Sequence, residues 1–261
     1  MRKRTWGAAL LAACLFSCTA GAHALAPGAT PAKTAAKKVA VVIDDLGNNM
    51  AGTDDILNLP VPLTVAVMPF LPSTKRDAEL AHRKGHDVFV HLPMEPVNGK
   101  RSWLGPGAIT TDLSDEEIRD RVRKAIDDVP HAIGLNNHMG SKATADERVM
   151  RAVLSVCKER GMIYLDSKTT HRSVAAKIAK ELGVPFLENE LFLDSVYTVS
   201  HITRQMETLC QRMKDRPVNI AIGHVGPPGK KTASVLRQYI PRIQQEAAIV
   251  TVSGLLNSVT P

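Results

Sequence analysis

Five short apolar runs in this chain each end in a residue able to bind a metal or move a proton. Val39-Ala40-Val41-Val42-Ile43 leads into Asp44 and Asp45, and Val88-Phe89-Val90 into His91, with Glu95 four residues on. Ile133-Gly134-Leu135 leads into Asn136, Asn137 and His138, Ile163-Tyr164-Leu165 into Asp166, and Ile220-Ala221-Ile222-Gly223 into His224. Leu191-Phe192-Leu193 repeats the theme with Asp194. Carboxylates and imidazoles together are the donors that Zn²⁺ or another divalent ion takes as ligands. The same groups supply a base and an acid, so the set is the raw material of a mononuclear metal hydrolase.

Each residue has a plainer alternative. Successive side chains of a strand alternate in direction, so Asp44 and Asp45 point the same way only where the chain turns. There one can hold a metal while the other stays free as a base; otherwise the pair simply caps a following helix. Pro93 and Pro96 forbid a regular helix, so the four-residue spacing of His91 and Glu95 does not place both on one face. Glu95 reads as an additional ligand, a partner fixing the His91 tautomer, or a loop carboxylate. Asn136 and Asn137 are donors suited to a substrate carbonyl or carboxylate, and Gly140 allows close backbone approach.

Apolar runs of this length read as strands buried on both faces, as in parallel sheets. Reactive residues at C-terminal strand ends are what α/β barrels and open α/β sheets use for their sites. Between the runs the pattern is helical: around 50–58, from a Ser73 cap to Lys84, 114–128 with Ser114 and Glu117 as a capping box, 145–160, 173–182, 200–214 and 231–246. His91 to Asp112, rich in Pro and Gly, reads as a long irregular stretch. Seven or eight strand–helix units favour a barrel over a flat sheet. No Gly-rich phosphate loop follows the first strand; carboxylates stand there instead, which argues against a dinucleotide fold.

Arg2-Lys3-Arg4, the apolar stretch Gly7–Phe16 and Ala22-His23-Ala24 have the order of a secretory signal cleaved after Ala24. Lipidation at Cys14 or Cys18 is the poorer reading, because one leaves a very short apolar region and the other places Phe16 badly. Residues 1–24 are thus expected to be a signal peptide and 25–37 a disordered linker of Ala, Pro, Thr and Lys, with one domain over 38–261. The product is expected in the periplasm or otherwise exported. Loss of three basic residues lowers the formal charge of +7 by three. Scattered basic residues and 4% aromatics give nucleic-acid binding no support. No further stretch approaches the roughly 20 apolar residues of a membrane span. Cys157 and Cys210 lack the spacing of a structural zinc site, and their redox state is left open.

Taken together, Ile43-Asp44-Asp45-Leu46-Gly47, His91-Leu92-Pro93-Met94-Glu95, Asn136-Asn137-His138-Met139-Gly140-Ser141, Leu165-Asp166-Ser167, Phe192-Leu193-Asp194 and Ile222-Gly223-His224 resemble the divergent polysaccharide deacetylases, distant relatives of the NodB-homology carbohydrate esterases. The resemblance spans roughly residues 38–257. It implies an α/β fold, a distorted seven-stranded (β/α) barrel, and hydrolysis of N-acetyl or O-acetyl groups on a cell-envelope glycan with a divalent metal, Zn²⁺ first. It implies Asp44 as base, Asp45 as metal ligand, and His224 as general acid. His91 stands as the first of the family's two histidines, Glu95 where the second is expected, and His138 as the nitrogen that makes up the set. Asp166 and Asp194 are left as further ligands or supports. The competing expectation is an inactive envelope glycan- or partner-binding module on the same barrel.

Overall fold

The computed structural model describes Met1 and residues 37–256, so the signal and most of the linker lie outside the described residues. From Lys38 onward strands and helices alternate: β1 Lys38–Leu46, α1 Thr53–Leu57, β2 Thr64–Val67, α2 Thr74–Arg83, β3 Asp87–Met94, α3 Asp115–Asp128, β4 Ala132–Met139 and α4 Glu147–Glu159. Then come β5 Ile163–Asp166, α5 Ala175–Leu182, β6 Phe186–Glu188, β7 Leu191–Phe192, α6 Val199–Asp215, β8 Val218–His224, α7 Gly229–Glu246, β9 Ala248–Val250 and α8 Val252–Leu256. All strand pairings are parallel, in the order β6-β5-β4-β3-β2-β1-β8-β7. Short β9 takes the lower part of β1, at Lys38–Ala40, on the edge where β2 takes the upper part. The sheet curls into a barrel left open between β6 and β7, the expected distorted (β/α) barrel.

The period-2 alternation of strands divides the buried side chains into two cores. Val39, Val41 and Ile43 of β1, with Val90, Leu92 and Leu135, pack outward against the helices. Ala40, Val42, Phe89, Leu165, Ile220 and Ile222 form a smaller interior core, to which α8 adds Val252 and Leu255. Helix α8 closes the lower end: the Val252 N–H donates to Thr64 Oγ1 and the Ser253 N–H to Asp87 Oδ2, at the starts of β2 and β3. The upper end is thereby left as the open one.

Phe89 fills the interior because its partner in register on β4 is Gly134. A Cβ at position 134 would lie 2.3 Å from the Phe89 ring. Gly134→Val should therefore destabilise the domain by about 1–3 kcal/mol through overpacking, read as a lowered thermal midpoint. An unchanged midpoint would show that the ring has room to move.

Two sequence expectations change. Strands β3 and β4 run four residues further than their apolar runs, pairing through Pro93↔His138 and Met94↔Met139. Their ladder therefore continues past Pro93, which withholds only its own donor. Ser73 does stand before α2 but does not cap it; its hydroxyl donates to Asp77 Oδ2 and accepts from the Asn49 N–H.

Candidate metal centre and acid–base site

The inner face of the barrel changes chemistry from bottom to top. On β1 and β8 the layers in register are Ala40↔Ile220, Val42↔Ile222 and then Asp44↔His224. On β3 and β4 they are Phe89↔Gly134, His91↔Asn136 and Pro93↔His138. Strand parity alone thus places Asp44, His91, Asn136, His138 and His224 on one interior face above the apolar core.

Asp45 joins them through a bulge. Ile43 pairs with Val65 but Leu46 with Val67, so β1 carries one extra residue there. Ile43 and Leu46 both pack in the outer core, leaving the two aspartates between them turned to the rim. Asp45 adopts φ 69°, a left-handed conformation that Asp tolerates better than most residues. The alternative of a helix-capping pair is excluded, because α1 starts only at Thr53.

Three atoms converge at this rim. Asp45 Oδ1 lies 3.3 Å from His91 Nε2 and 3.1 Å from His138 Nδ1, and the two nitrogens are 3.1 Å apart. The far side of each ring says where its proton sits. His91 Nδ1 is 2.7 Å from Asn136 Oδ1, and His138 Nε2 is 3.1 Å from the Trp103 carbonyl, both acceptors. Each ring donates outward and turns a lone pair inward, so with neutral rings three acceptors face one another and the buried Asp45 Oδ1 receives no hydrogen bond. Such a cluster requires a proton or a cation. Ligands at about 2.0–2.1 Å on a tetrahedral zinc stand about 3.3 Å apart, close to the spacing found, so the donor set fits the metal.

The charges respond accordingly. Burial alone would raise the Asp45 carboxyl, but the close approach of His138 and His91, when protonated, holds it well below the usual range. Burial alone would lower His91, and the neighbouring Asp44 and Asp45 outweigh it and raise it. Asp44 goes the other way: its burial pushes the carboxyl up, only partly offset by His91 and His224. Asp44 is 1% exposed; its Oδ1 accepts from Asn136 Nδ2 at 2.8 Å, and its Oδ2 lies 3.7 Å from His91 Nε2.

His224 stands on the other flank, with Nδ1 donating to Asp194 Oδ1 at 2.7 Å. Asp194 is fully buried, and its second oxygen accepts from the His224 N–H and the Thr232 hydroxyl, each at 2.7 Å. Burial would lower the His224 imidazole, but the Asp194 hydrogen bond and then the charge of Asp44 raise it to about 9. Phe192 stacks beside it, centroids 6.0 Å apart. A cavity of about 440 Å³ opens over the cluster, lined among others by Asp44, Asp45, His91, His138, Tyr197 and His224.

These positions bear on four sequence expectations. Asn136 does not face substrate: it is fully buried, with one end of its amide on Asp44 and the other on His91. Glu95 stands apart from the cluster as a loop carboxylate, with Lys142 Nζ and the Thr111 N–H and hydroxyl on its oxygens beside a neighbouring cavity. Asp166 follows the interior residue Leu165 and so points to the outer side, where it accepts from the Lys168 N–H. Asp194 supports His224 and, among the described residues, lies outside the Asp45, His91 and His138 cluster. Asn137 does line the cavity, although Ser167 N–H and the Met139 carbonyl occupy its amide. Thr232 and the Trp103 carbonyl went unforeseen; a threonine early in a helix and a main-chain oxygen carry no sequence signal of their own. Cys157 and Cys210 are buried and free, and burial pushes the Cys157 thiol up to about 12.

A curled parallel barrel that gathers Asp44, Asp45, His91, His138 and His224 at one rim is a deacetylase-like α/β architecture. The chain belongs to the divergent polysaccharide deacetylase family, whose model matches residues 41–256. An uncharacterised protein of Haemophilus influenzae is 34% identical over 221 residues, 85% of this chain and 77% of that one. Among solved structures, an uncharacterised protein of Agrobacterium tumefaciens superposes with a TM-score of 0.78 at 21% identity, covering 86% of this chain and 91% of its own. A CE4-family pseudoenzyme of Bacillus anthracis gives 0.51 at 16% identity over 85% and 66%, as does a mutant of it with restored enzymatic activity over 85% and 68%. These structural likenesses concern the fold.

Proposed function

We propose that the protein is an exported, metal-dependent deacetylase that hydrolyses the N-acetyl group of an amino sugar in a cell-envelope glycan. One observation carries this reading: Asp45 Oδ1, His91 Nε2 and His138 Nδ1 converge at 3.1–3.3 Å, with Asp44 on one side and His224 on the other. Bound by these three residues, a divalent ion supplies a Lewis acid that polarises the acyl carbonyl and acidifies water. Asp44 Oδ2, left unbonded by Asn136, takes the proton of the attacking water. His224 Nε2, facing the cavity while Nδ1 is held by Asp194, donates its proton to the leaving nitrogen as the carbon–nitrogen bond breaks. Each turnover leaves one proton on Asp44 and one fewer on His224, so proton exchange with solvent restores both. The test is acetate release from a panel of acetylated glycans and their oligosaccharides by purified protein with added Zn²⁺ or Co²⁺. Absence of release from every member, with metal bound, overturns the reading. The family match supports a carbohydrate substrate, and the deacetylation of an O-acetyl ester is the variant of the same chemistry that the panel separates.

His224 gives the pH dependence its sign. A general acid works only while protonated, so turnover should hold up to about pH 9 and fall as pH rises through the raised value. Asp194→Asn removes the carboxylate bonded to Nδ1 and should move this alkaline limb toward the ordinary histidine value of about 6.5, read from rate–pH profiles. An unmoved limb would assign it to another group.

The second reading, a non-catalytic glycan- or partner-binding module, draws on the existence of a pseudoenzyme with this fold. It predicts glycan binding without acetate release, and the same panel decides it. Export rests on the first 24 residues and predicts Leu25 as the mature N-terminus. Intact-mass analysis from an exporting host checks this, and a mass that retains Met1 rejects it. Among the described residues no helix is long and apolar enough to cross a membrane.

A further inference from the structure

We infer that Asn136 is a positioning residue that fixes, with a single amide, both the tautomer of His91 and the orientation of Asp44. The inference rests on reading His91 as a metal ligand. It starts from an asymmetry of partners. Asn136 Nδ2 lies 2.8 Å from Asp44 Oδ1, and Asn136 Oδ1 lies 2.7 Å from His91 Nδ1. An ionised carboxylate can only accept, so the NH₂ end of the amide must face Asp44. The carbonyl end then faces His91, and a carbonyl can only accept, so the His91 proton must sit on Nδ1. Nε2 is left with its lone pair directed at Asp45 Oδ1 and His138 Nδ1, which is the form of imidazole a metal binds. One amide thus carries orientation information from a carboxylate on β1 to a histidine on β3.

No neighbour competes for this task. Asn136 and His91 are 0% and 2% exposed, so water does not stand in for the amide. The two residues are direct register partners on β4 and β3, which holds the side chains side by side. His138, by contrast, has its tautomer set by a main-chain oxygen, that of Trp103 in the loop after β3. Of the two histidines, only the one on β3 depends on a side chain that can be exchanged.

Two variants test the acceptor. Asn136→Ala removes the acceptor for His91 and the donor to Asp44 together. Asn136→Asp keeps an acceptor against His91 Nδ1–H and, because two buried carboxyl groups this close hold one proton between them, an O–H donor toward Asp44 in place of the amide. The first measurement is ¹⁵N NMR of the imidazole nitrogens in metal-free protein, at a pH where the His91 ring is neutral. The parent and Asn136→Asp should show the proton on Nδ1, and Asn136→Ala should populate the Nε2–H form. The second is Zn²⁺ affinity by competition with a chelator. Asn136→Ala should bind about 10–100-fold more weakly, the usual effect of losing the outer hydrogen bond of a metal-bound histidine, and Asn136→Asp within a few-fold of parent.

A parent-like tautomer and affinity in Asn136→Ala overturns the inference. So does an Asn136→Asp protein that folds but loses the tautomer and the affinity as fully as Asn136→Ala. Far-UV circular dichroism and thermal melting establish folding, and if Asn136→Ala fails to fold, the near-isosteric Asn136→Leu, which also lacks the acceptor, takes its place with the same expected losses. Neither readout needs turnover, so a parent that releases no acetate defeats the deacetylase reading and leaves the role of Asn136 to be judged on its own.

Discussion

Asp44→Asn should lower the rate of acetate release by about 10²-fold or more while metal content stays near that of the parent. Asp44 is buried, and one of its oxygens is held by Asn136, so its other oxygen is the basic atom facing the cluster. An asparagine there keeps the shape and can turn its carbonyl to Asn136, so the hydrogen bond survives. What it places at the second position is an NH₂ group, which accepts no proton at neutral pH. Burial also raises the Asp44 carboxyl, which brings a base closer in strength to the working pH. A base works only when ionised, so the acidic limb of the parent profile, where rate rises with pH, should disappear in the variant. The paired measurement is acetate release beside metal stoichiometry by elemental analysis. A variant with parental turnover removes Asp44 from the chemistry, whereas loss of metal along with turnover makes it part of the ligand sphere instead.

How much of this site was legible in the sequence follows from strand parity. Val42 and Asp44, Phe89 and His91, Gly134 and Asn136, and Ile222 and His224 are each two apart, so an interior apolar residue predicts an interior reactive one. The same rule, applied to Leu165 and Asp166, puts that carboxylate on the wrong side, as the structure finds. Asp45 escapes the rule because its place depends on a bulge, and one extra residue in a ladder leaves no composition signal. The sequence gives Asn136 to substrate, since nothing in it states that β3 and β4 hold this residue in register with His91. The family resemblance implies roles for Asp44 and His224, but not that Glu95 is taken by Lys142 and Thr111. Contacts between strands distant in the chain decide these cases, and they are what a local reading lacks.

Removing one ligand should abolish metal binding in practice, and His138→Ala is the sharpest case. The three donors sit on three elements: the bulge of β1, mid-β3, and the end of β4. Asp45 and His138 are partly exposed at the rim, so truncation there should leave the barrel folded. Without metal the parent holds three acceptors within 3.1–3.3 Å, an arrangement that favours a proton on His91. His138→Ala relieves that crowding, and its metal-free stability should match or exceed the parent's. With metal the order reverses. A ligand that binds only the folded state stabilises it by about 2.7 kcal/mol at a hundredfold excess over its dissociation constant. Zn²⁺ should therefore raise the melting temperature of the parent by several degrees and leave that of His138→Ala unmoved, with affinity down by more than about 100-fold, beyond what loss of an outer hydrogen bond causes. His91→Ala should lose the Zn²⁺ shift as well, but it leaves the buried Asn136 Oδ1 without its donor and should lower metal-free stability. Glu95→Gln is the control, because its carboxylate is engaged by Lys142 and Thr111 away from the cluster, and it should keep the parental shift. If Glu95→Gln loses the shift and His138→Ala keeps it, the third ligand is Glu95 and the loop carrying it must rearrange when metal binds.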